Sequence, residues 1–218
     1  MATPAFHLLI YQDLKNASMN RSLEELLKKR RSRYKLEKEI AVSDECIVEL
    51  LQECVKHVPS TFNSQSTRLV LLLGDSHNRF WQTVLKSIAG ITVPEAYEKS
   101  KQKIETAFAA GHGTILFFED SATTEKLKKE YPLYADEFQR YSEHTSAMHQ
   151  IVMWLLLADA NIGASLQHYE QLVEKDIKRH FSLPHGWKLI AEMPFGNATD
   201  SLPQKSLLSF DETIRIFN

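Results

Sequence analysis

Apolar residues recur every three or four positions in many parts of the chain, which is the spacing of an amphipathic helix. The longest such segment, residues 135–160, is apolar nearly all round in its second half, so we expect it at the centre of the core. Gly111 is predicted to end one helix as a left-handed cap, and Gly163 is predicted to close the long one. The predicted helices are one that opens at residue 22 and those at residues 43–58, 77–90, 94–111, 121–131, 135–160 and 172–181.

Continuous apolar runs bounded by turn residues indicate strands that are buried on both faces. These runs occupy residues 68–74, 113–120 and 186–196. Residues 164–169 are predicted to be a short strand or extended segment, and residues 212–217 a last edge strand. Helices thus alternate irregularly with about five short strands, which predicts an α+β fold or a mixed α/β sandwich.

The chain shows no internal repeat, low-complexity tract or long linker, so we expect one domain over residues 19–218. Residues 1–18 match no period well, whereas a capping box, SLEE at residues 22–25, follows Met19. We therefore expect Met19 to be the natural start and residues 1–18 to be an N-terminal extension or the product of a mis-called start.

Composition narrows the class of protein. The chain has 218 residues, 43% of them hydrophobic, and a net charge of −2, which gives no overall attraction to nucleic acid or to an anionic membrane. Its longest apolar run, residues 151–158, is far shorter than the roughly 20 residues that a bilayer requires. Cys46 and Cys54 lie about 12 Å apart along one predicted helix, too far for a disulfide. Two unpaired thiols and a poor signal peptide predict a cytoplasmic protein.

Several familiar site signatures are missing from the sequence. It has no G-x-G-x-x-G or Walker A motif and only seven glycines, which argues against a Rossmann or P-loop site. His144 and His149 are five residues apart and off a shared helical face, and no Cys-Cys-His spacing occurs, so we expect no metal site. A G-x-S-x-G nucleophile elbow is absent as well.

A first polar cluster lies at the end of the opening helix. It consists of Arg30, Arg31 and Ser32, with Tyr34 just beyond. Two guanidinium groups and a hydroxyl suit a phosphate, because arginine forms forked, charge-assisted hydrogen bonds. The commoner explanation of such a run is a basic helix end that complements the helix dipole.

Two further polar clusters adjoin predicted strands. Residues 60–67 carry amides and hydroxyls directly before a buried strand, and such groups can bind the edge of a heteroaromatic ring. The alternative is a polar loop that satisfies its own backbone. Residues 166–169, LQHY, could line a pocket or form a plain edge strand.

From about residue 19 to residue 218 the chain resembles the nitroreductase superfamily. The resemblance is nearest to the subgroup of fatty-acid-repression-mutant-like proteins and copper-induced bacterial nitroreductases. It rests on motifs that occur in the order RRSRYKL, VSDECI, HVPSTFNSQSTRLVLLLG, GHGTILFFED, YSEHTSAMHQ, GASLQHY and MPFG. The specific motifs among them are PSTFNSQSTR and GASLQHY.

The resemblance implies a nitroreductase-like α+β fold, with a mainly antiparallel central sheet, and a homodimer that binds FMN at the subunit interface. Many family members carry a second basic residue directly after the position that Lys205 occupies here. In this chain Ser206 and Leu207 follow Lys205 instead, so Arg215 would take that role. The residues implied at the flavin are Arg30, Arg31, Ser32 and Tyr34 for the phosphate and ribityl chain, Ser60, Phe62, Asn63 and Gln65 from the other subunit, Gln167, His168 and Tyr169 along the ring, and Lys205 with Arg215 at the C-terminal end.

The implied activity is hydride transfer from NADH or NADPH through the flavin to a nitroaromatic or quinone acceptor. A ping-pong scheme follows, and no dedicated protein acid or base is needed, because the flavin carries the chemistry. The resemblance also allows a flavin-binding regulatory or stress-response protein with incidental turnover. A third possibility, a helical interaction protein without a cofactor, leaves the polar run at residues 60–67 unexplained.

Overall fold

The computed structural model describes residues 21–202 and 204–217, so the predicted extension 1–18 and the predicted start at Met19 lie outside the described residues. A single π-helical turn, Ile104–Phe108, continues the helix Pro94–Lys103. The helices are α1 (Arg21–Lys29), α2 (Asp44–His57), α3 (Gly74–Ala89), α4 (Pro94–Lys103), α5 (Ser121–Glu130), α6 (Phe138–Asp159), α7 (Glu170–His180) and α8 (Phe210–Thr213). No helix in the described part of the chain is both long enough and apolar enough to span a bilayer.

The strands form one five-stranded sheet, which confirms the predicted α+β class. The strands are β1 (Leu36–Glu37), β2 (Thr67–Leu73), β3 (Gly113–Asp120), β4 (Gly163–Ala164) and β5 (Trp187–Ala198). Their order is β1-β5-β3-β2, with β4 added on β5, and every named pair is antiparallel. The short strand β4 therefore opens the extended segment that the sequence predicted at residues 164–169.

Helices cover both faces of the sheet because the side chains of β3 alternate between two cores. Ile115 and Phe117 face one core, where they meet Met153 and Leu157 of α6. Leu116 and Phe118 face the other core, against α3 and α7. Seven of the eight residues of β3 are buried, which agrees with the continuous apolar run that predicted this strand.

Two predicted helix ends are wrong. Asn161, with φ 60°, supplies the left-handed residue after α6, whereas Gly163 lies in β4, where a β-carbon would come within 2.4 Å of the β-carbon of Ala198. Gly111 does not have a positive φ either. Its β-carbon would lie 2.6 Å from the carbonyl oxygen of Phe195, so close packing against β5 explains the glycine at this position.

The predicted strand at residues 212–217 is also wrong. Ser209 and Glu212 form a capping box that starts the one-turn helix α8, and the residues after it are irregular and exposed. With no strand beside them, the β-branched residues of this segment have nothing to pair with. At the other end of the chain, Ser22, the first residue of the predicted capping box, is the second residue of α1.

Candidate functional site

The site is built on an extended segment, residues 163–169, whose backbone N–H groups alternate in direction. Three of them point toward β5: Ser165 N–H donates to Pro194 O (3.2 Å), Gln167 N–H to Glu192 O (2.7 Å) and Tyr169 N–H to Glu192 Oε2 (2.9 Å). Because successive N–H groups of an extended chain point to opposite sides, the N–H of His168 points away from β5. The His168 N–H makes no hydrogen bond with any residue between 21 and 217 that the structure describes.

The other side of the extended segment meets the arginine cluster (Arg30, Arg31 and Ser32). Ser32 forms a parallel bridge with Ala164, and Arg33 N–H donates to Ala164 O (2.9 Å). The cluster and the His168 N–H thus share one edge. At the rise of an extended chain, Ala164 and His168 lie about 13 Å apart. The structure therefore brings together the first and third polar clusters that the sequence predicted.

Arg30 is only partly exposed, and its guanidinium lies over the ring of Trp154, 4.5 Å from the centroid. Its Nε is buried and has no hydrogen-bond partner among the described residues. A buried donor on a cation is costly when it is unpaired. An anionic oxygen placed at this edge would satisfy it, so these residues fit a phosphate.

The neighbouring cations are arranged differently. Arg31 and Arg33 line a hollow of about 160 Å³ beside Trp154 and Gly163. Arg33 is tied to Asp200, with Nε 2.6 Å from Oδ1, and the same carboxylate accepts from the backbone N–H of Tyr34 (3.2 Å). These bonds keep the pKa of Asp200 low despite its partial burial. Arg33 therefore anchors the start of the C-terminal segment.

Tyr34, just beyond the arginine cluster, forms a pair with Lys103. Tyr34 is 48% exposed, and the Nζ of Lys103 lies 5.8 Å from its ring centroid and 5.5 Å from that of Phe108. Lys103 does not stand out in the sequence because it is one of several lysines in a polar helix. The π turn that follows it, closed by the Ala109 N–H to Ile104 O bond (2.8 Å), is common near functional sites but was not visible in the sequence.

The side chains of the extended segment are placed unequally. His168 is exposed, whereas the amide of Gln167 is buried and donates to Ser165 Oγ (3.0 Å). The ring of Tyr169 packs edge-on against Trp81, with 5.9 Å between centroids. The segment therefore presents its backbone and His168 to the shared edge, while the Tyr169 ring belongs to the core.

Glu192 of β5, which no sequence motif indicates either, pairs with Gln167 of the extended segment. Its side chain has no solvent exposure, and burial raises its pKa to about 8, opposed by the hydrogen bond from the Tyr169 N–H. Its Oε1 is buried without a partner in the described part of the chain. The one sequence signal was an acidic residue inside the apolar run 186–196.

The second predicted cluster forms a strained polar loop, residues 60–65. Three of its non-glycine residues have positive φ: Phe62 (53°), Asn63 (51°) and Gln65 (48°). Such conformations cost energy and persist only where the surroundings hold them. Ser60 holds the loop from within, because its Oγ accepts from the Gln65 N–H (2.9 Å). Phe62 packs outward on Tyr131, with 4.5 Å between ring centroids.

A buried carboxylate fixes the exit of the polar loop. Glu119 accepts hydrogen bonds from the hydroxyls of Ser66 and Thr67, each at 2.5 Å. Burial nevertheless raises the pKa of Glu119, although these bonds and nearby Arg68 lower it. Arg68 also stabilises the end of the polar loop, because its guanidinium donates to the carbonyl of Gln65 (2.7 Å) and to Asp120 (2.8 Å).

The polar loop and the arginine cluster lie at opposite ends of the sheet. β2 begins at Thr67, directly after the loop, and ends at Leu73, opposite Gly113. Gly113 pairs in turn with Phe195, the residue that β4 contacts beside the arginine cluster. The length of β2, about 20 Å at the rise of an extended strand, separates the two groups. A single chain therefore does not bring them to one edge.

The two C-terminal basic residues lie in an exposed segment. Lys205 is exposed, and the guanidinium of Arg215 donates to the carbonyl oxygen of Asp211 within the same segment. No hydrogen bond or ion pair among the described residues joins either of them to the arginine cluster. Their predicted place at the phosphate stays a prediction.

Known proteins are similar to this chain over most of its length. The model of the nitroreductase family matches residues 27–197, a range that includes both the arginine cluster and the extended segment. The putative nitroreductase HBN1 of Saccharomyces cerevisiae is 32% identical over 180 residues, which are 83% of this chain and 86% of that protein.

Among solved structures, the nitroreductase CinD from Lactococcus lactis in complex with chloramphenicol superposes with a TM-score of 0.82 at 30% identity, covering 90% of this chain and all of that one. A nitroreductase with bound FMN from Desulfitobacterium hafniense shares the fold, with a TM-score of 0.67 at 16% identity over 92% of this chain and 100% of that chain. The family match and the relatives together show that this chain belongs to the nitroreductase family, a family of oxidoreductases.

Proposed function

We propose that the protein is an FMN-dependent oxidoreductase that takes hydride from NADH or NADPH and reduces nitroaromatic or quinone acceptors in a ping-pong scheme. The observation that carries the proposal is the shared edge of the arginine cluster and the extended segment. There the buried Nε of Arg30 and the N–H of His168 have no hydrogen-bond partner among the described residues. That edge suits a ligand with a phosphate at one end and a polar ring at the other.

Each residue of this edge has a definite task in the proposal. Arg30, Arg31 and Ser32 would bind the phosphate, and the stacking on Trp154 would keep Arg30 in place. The His168 N–H would donate to a ring nitrogen, and Lys103 would offset negative charge that develops on the ring. When bound, FMN supplies the hydride chemistry itself.

The acceptor class is inferred from a relative. CinD, 30% identical to this chain, has been crystallised with chloramphenicol and with 4-nitrophenol, and both compounds carry a nitroaromatic group. His168 is the exposed side chain of the extended segment and would border the space that such acceptors use.

A homodimer is part of the proposal because the polar loop cannot reach the arginine cluster of its own chain. In a two-fold dimer the polar loop of one subunit would lie over the arginine edge of the other, and Ser60, Asn63 and Gln65 would complete the site. The exposed apolar residues fit this arrangement, since Leu23 and Leu27 of α1 are 53% and 52% exposed. Similar exposure continues along the C-terminal segment, at Leu207, Leu208, Phe210, Ile216 and Phe217.

Anaerobic half-reactions test the function. NADH or NADPH should bleach the flavin absorbance of the loaded protein, and a nitroaromatic or quinone added afterwards should restore it without oxygen. Reduction by neither nucleotide would contradict the proposed donor. Reduction followed by slow reoxidation with every acceptor would favour the flavin-binding regulatory protein over the enzyme.

A further inference from the structure

Glu192 holds the residues on both sides of His168. Its backbone exchanges two hydrogen bonds with Gln167, Gln167 N–H to Glu192 O at 2.7 Å and Glu192 N–H to Gln167 O at 3.0 Å. Its carboxylate then accepts the N–H of Tyr169 at 2.9 Å. These three bonds leave the peptide of His168 no freedom to turn toward β5.

The hydrogen bond from the Tyr169 N–H to the side chain of Glu192 is unusual for its position. Strand pairing ends at Gln167, so a backbone carbonyl is no longer available to Tyr169, and a carboxylate oxygen takes its place. The residue that determines the direction of the His168 N–H is thus an ionisable one. An alanine at this position would leave the Tyr169 N–H buried and unpaired.

We propose that Glu192 is a positioning residue for the flavin, which fixes the outward direction of the His168 N–H and couples reduction of the cofactor to uptake of a proton on its own carboxylate. The inference rests on the proposed function, since it takes the His168 N–H to face the flavin ring. The coupled step is balanced: the cofactor accepts the hydride from the nicotinamide, and the carboxylate accepts one proton from water.

The surroundings of Glu192 support this coupling. Its Oε1 is buried without a partner among the described residues, so a proton can occupy that oxygen while Oε2 keeps the Tyr169 N–H. Glu170, at the start of α7, also has a buried, unpaired oxygen, and its charge raises the pKa of Glu192 further beyond the effect of burial. The phenol of Tyr169 interacts with the same carboxyl, and its own pKa is raised by burial and by Glu192.

The sign of the coupling follows from charge. A carboxylate beside the segment that would hold the flavin would oppose the addition of negative charge to it, so reduction would favour the protonated form of Glu192. With a pKa of about 8, Glu192 is protonated in both redox states at pH 6 and gains a proton on reduction near and just above pH 8. In that window the midpoint potential should fall more steeply with pH. For a two-electron couple, one extra proton adds at most about 30 mV per pH unit.

The test is the flavin midpoint potential of the full chain loaded with FMN, measured from pH 6 to pH 10. Glu192→Gln keeps an acceptor for the Tyr169 N–H and removes the titration, so the steeper region should vanish. Glu170→Gln removes the charge that raises the pKa of Glu192, so the steeper region should move to lower pH. Glu143→Gln is the matched control: this partly exposed carboxylate is 2.9 Å from Lys188 on the surface, and the variant should follow the wild type.

Each outcome decides between the two proposals. A pH profile of Glu192→Gln that matches the wild type would overturn the role of Glu192 and leave the proposed function intact. A wild-type chain that binds no FMN would instead overturn the proposed function and this inference with it. If Glu192→Gln does not fold, Glu170→Gln decides the question: a profile unchanged from the wild type refutes the coupling, and a shift to lower pH supports it.

Discussion

Replacement of Arg30 by methionine should weaken FMN binding while leaving the stability of the apoprotein nearly unchanged. Methionine keeps a flexible apolar side chain at this position but removes the charge, the donors and the guanidinium that lies over the Trp154 ring. Hydrogen bonds to a charged partner contribute about 1.5–3 kcal/mol each, so the loss of one such bond lowers affinity about 10- to 150-fold.

The apoprotein should respond differently because Arg30 has no anionic partner among the residues that the structure describes. Loss of the contact with the Trp154 ring, 4.5 Å away, costs about 0.5–1 kcal/mol. Removal of a buried Nε without a hydrogen-bond partner offsets that cost. We therefore expect the free energy of unfolding of the apoprotein to change by less than about 1 kcal/mol.

The assay is a titration of apoprotein with FMN, followed by the quenching of flavin fluorescence, together with urea unfolding of the apoprotein. Arg30→Lys should lie between wild type and Arg30→Met, because lysine keeps the charge but not the fork. Arg179→Met, at an exposed arginine of α7, should bind FMN like the wild type. An Arg30→Met variant that binds FMN as tightly as the wild type would refute the role of Arg30. So would a loss of unfolding free energy in the apoprotein that equals the loss of FMN binding free energy.

Three further predictions concern stability and thiol chemistry. The pKa of Glu192 is raised to about 8, so the native state binds more protons than the unfolded state between about pH 4.5 and pH 8, and stability falls as pH rises. Relative to Glu192→Gln, the wild type should lose up to about 1.4 kcal/mol per pH unit in that window by urea unfolding; a pH-independent difference would refute the assignment. Gly163→Ala should lower the free energy of unfolding by about 1–3 kcal/mol, because its methyl group would overlap β5. Gly186→Ala, with open space around it, should not, and equal unfolding midpoints for the two variants would contradict this prediction. A thiol reagent should label exposed Cys46 in the native protein and reach Cys54, whose pKa burial raises to about 12, only after unfolding; equal labelling rates would count against this burial.

The sequence predicts the fold correctly where the hydrophobic pattern of a segment matches its burial in the structure. The central strand β3 was predicted because its apolar run is continuous, and it is buried on both faces. The segment at residues 212–217, which contains three β-branched residues, was predicted to be a last edge strand. Strand formation depends on a neighbour that only the tertiary structure supplies, and here none is present within the described residues.

Glycine positions show a second limit of sequence patterns. Gly111 and Gly163 follow helices, as caps commonly do, yet both are required by close approach to β5. Asn161 performs the capping role after α6 because asparagine also tolerates positive φ. A sequence pattern does not distinguish a glycine needed for its dihedral angles from one needed for its small size.

The candidate site was predictable in part. The arginine cluster and residues 167–169 carry side chains that suggested a ligand, and the structure joins them at one edge. Glu192 and Lys103 were missed because their importance comes from partners distant in sequence. The separation of the polar loop from the arginine cluster likewise depends on strand register, which no local pattern records.

The most direct test of the account is the flavin content and mass of the purified full-length chain after incubation with FMN and removal of the excess. The account predicts a yellow dimer with one FMN per chain, in which Arg30→Met retains less flavin. A colourless protein would contradict FMN binding. A monomer that retains one FMN per chain would contradict the claim that two chains together build the flavin site.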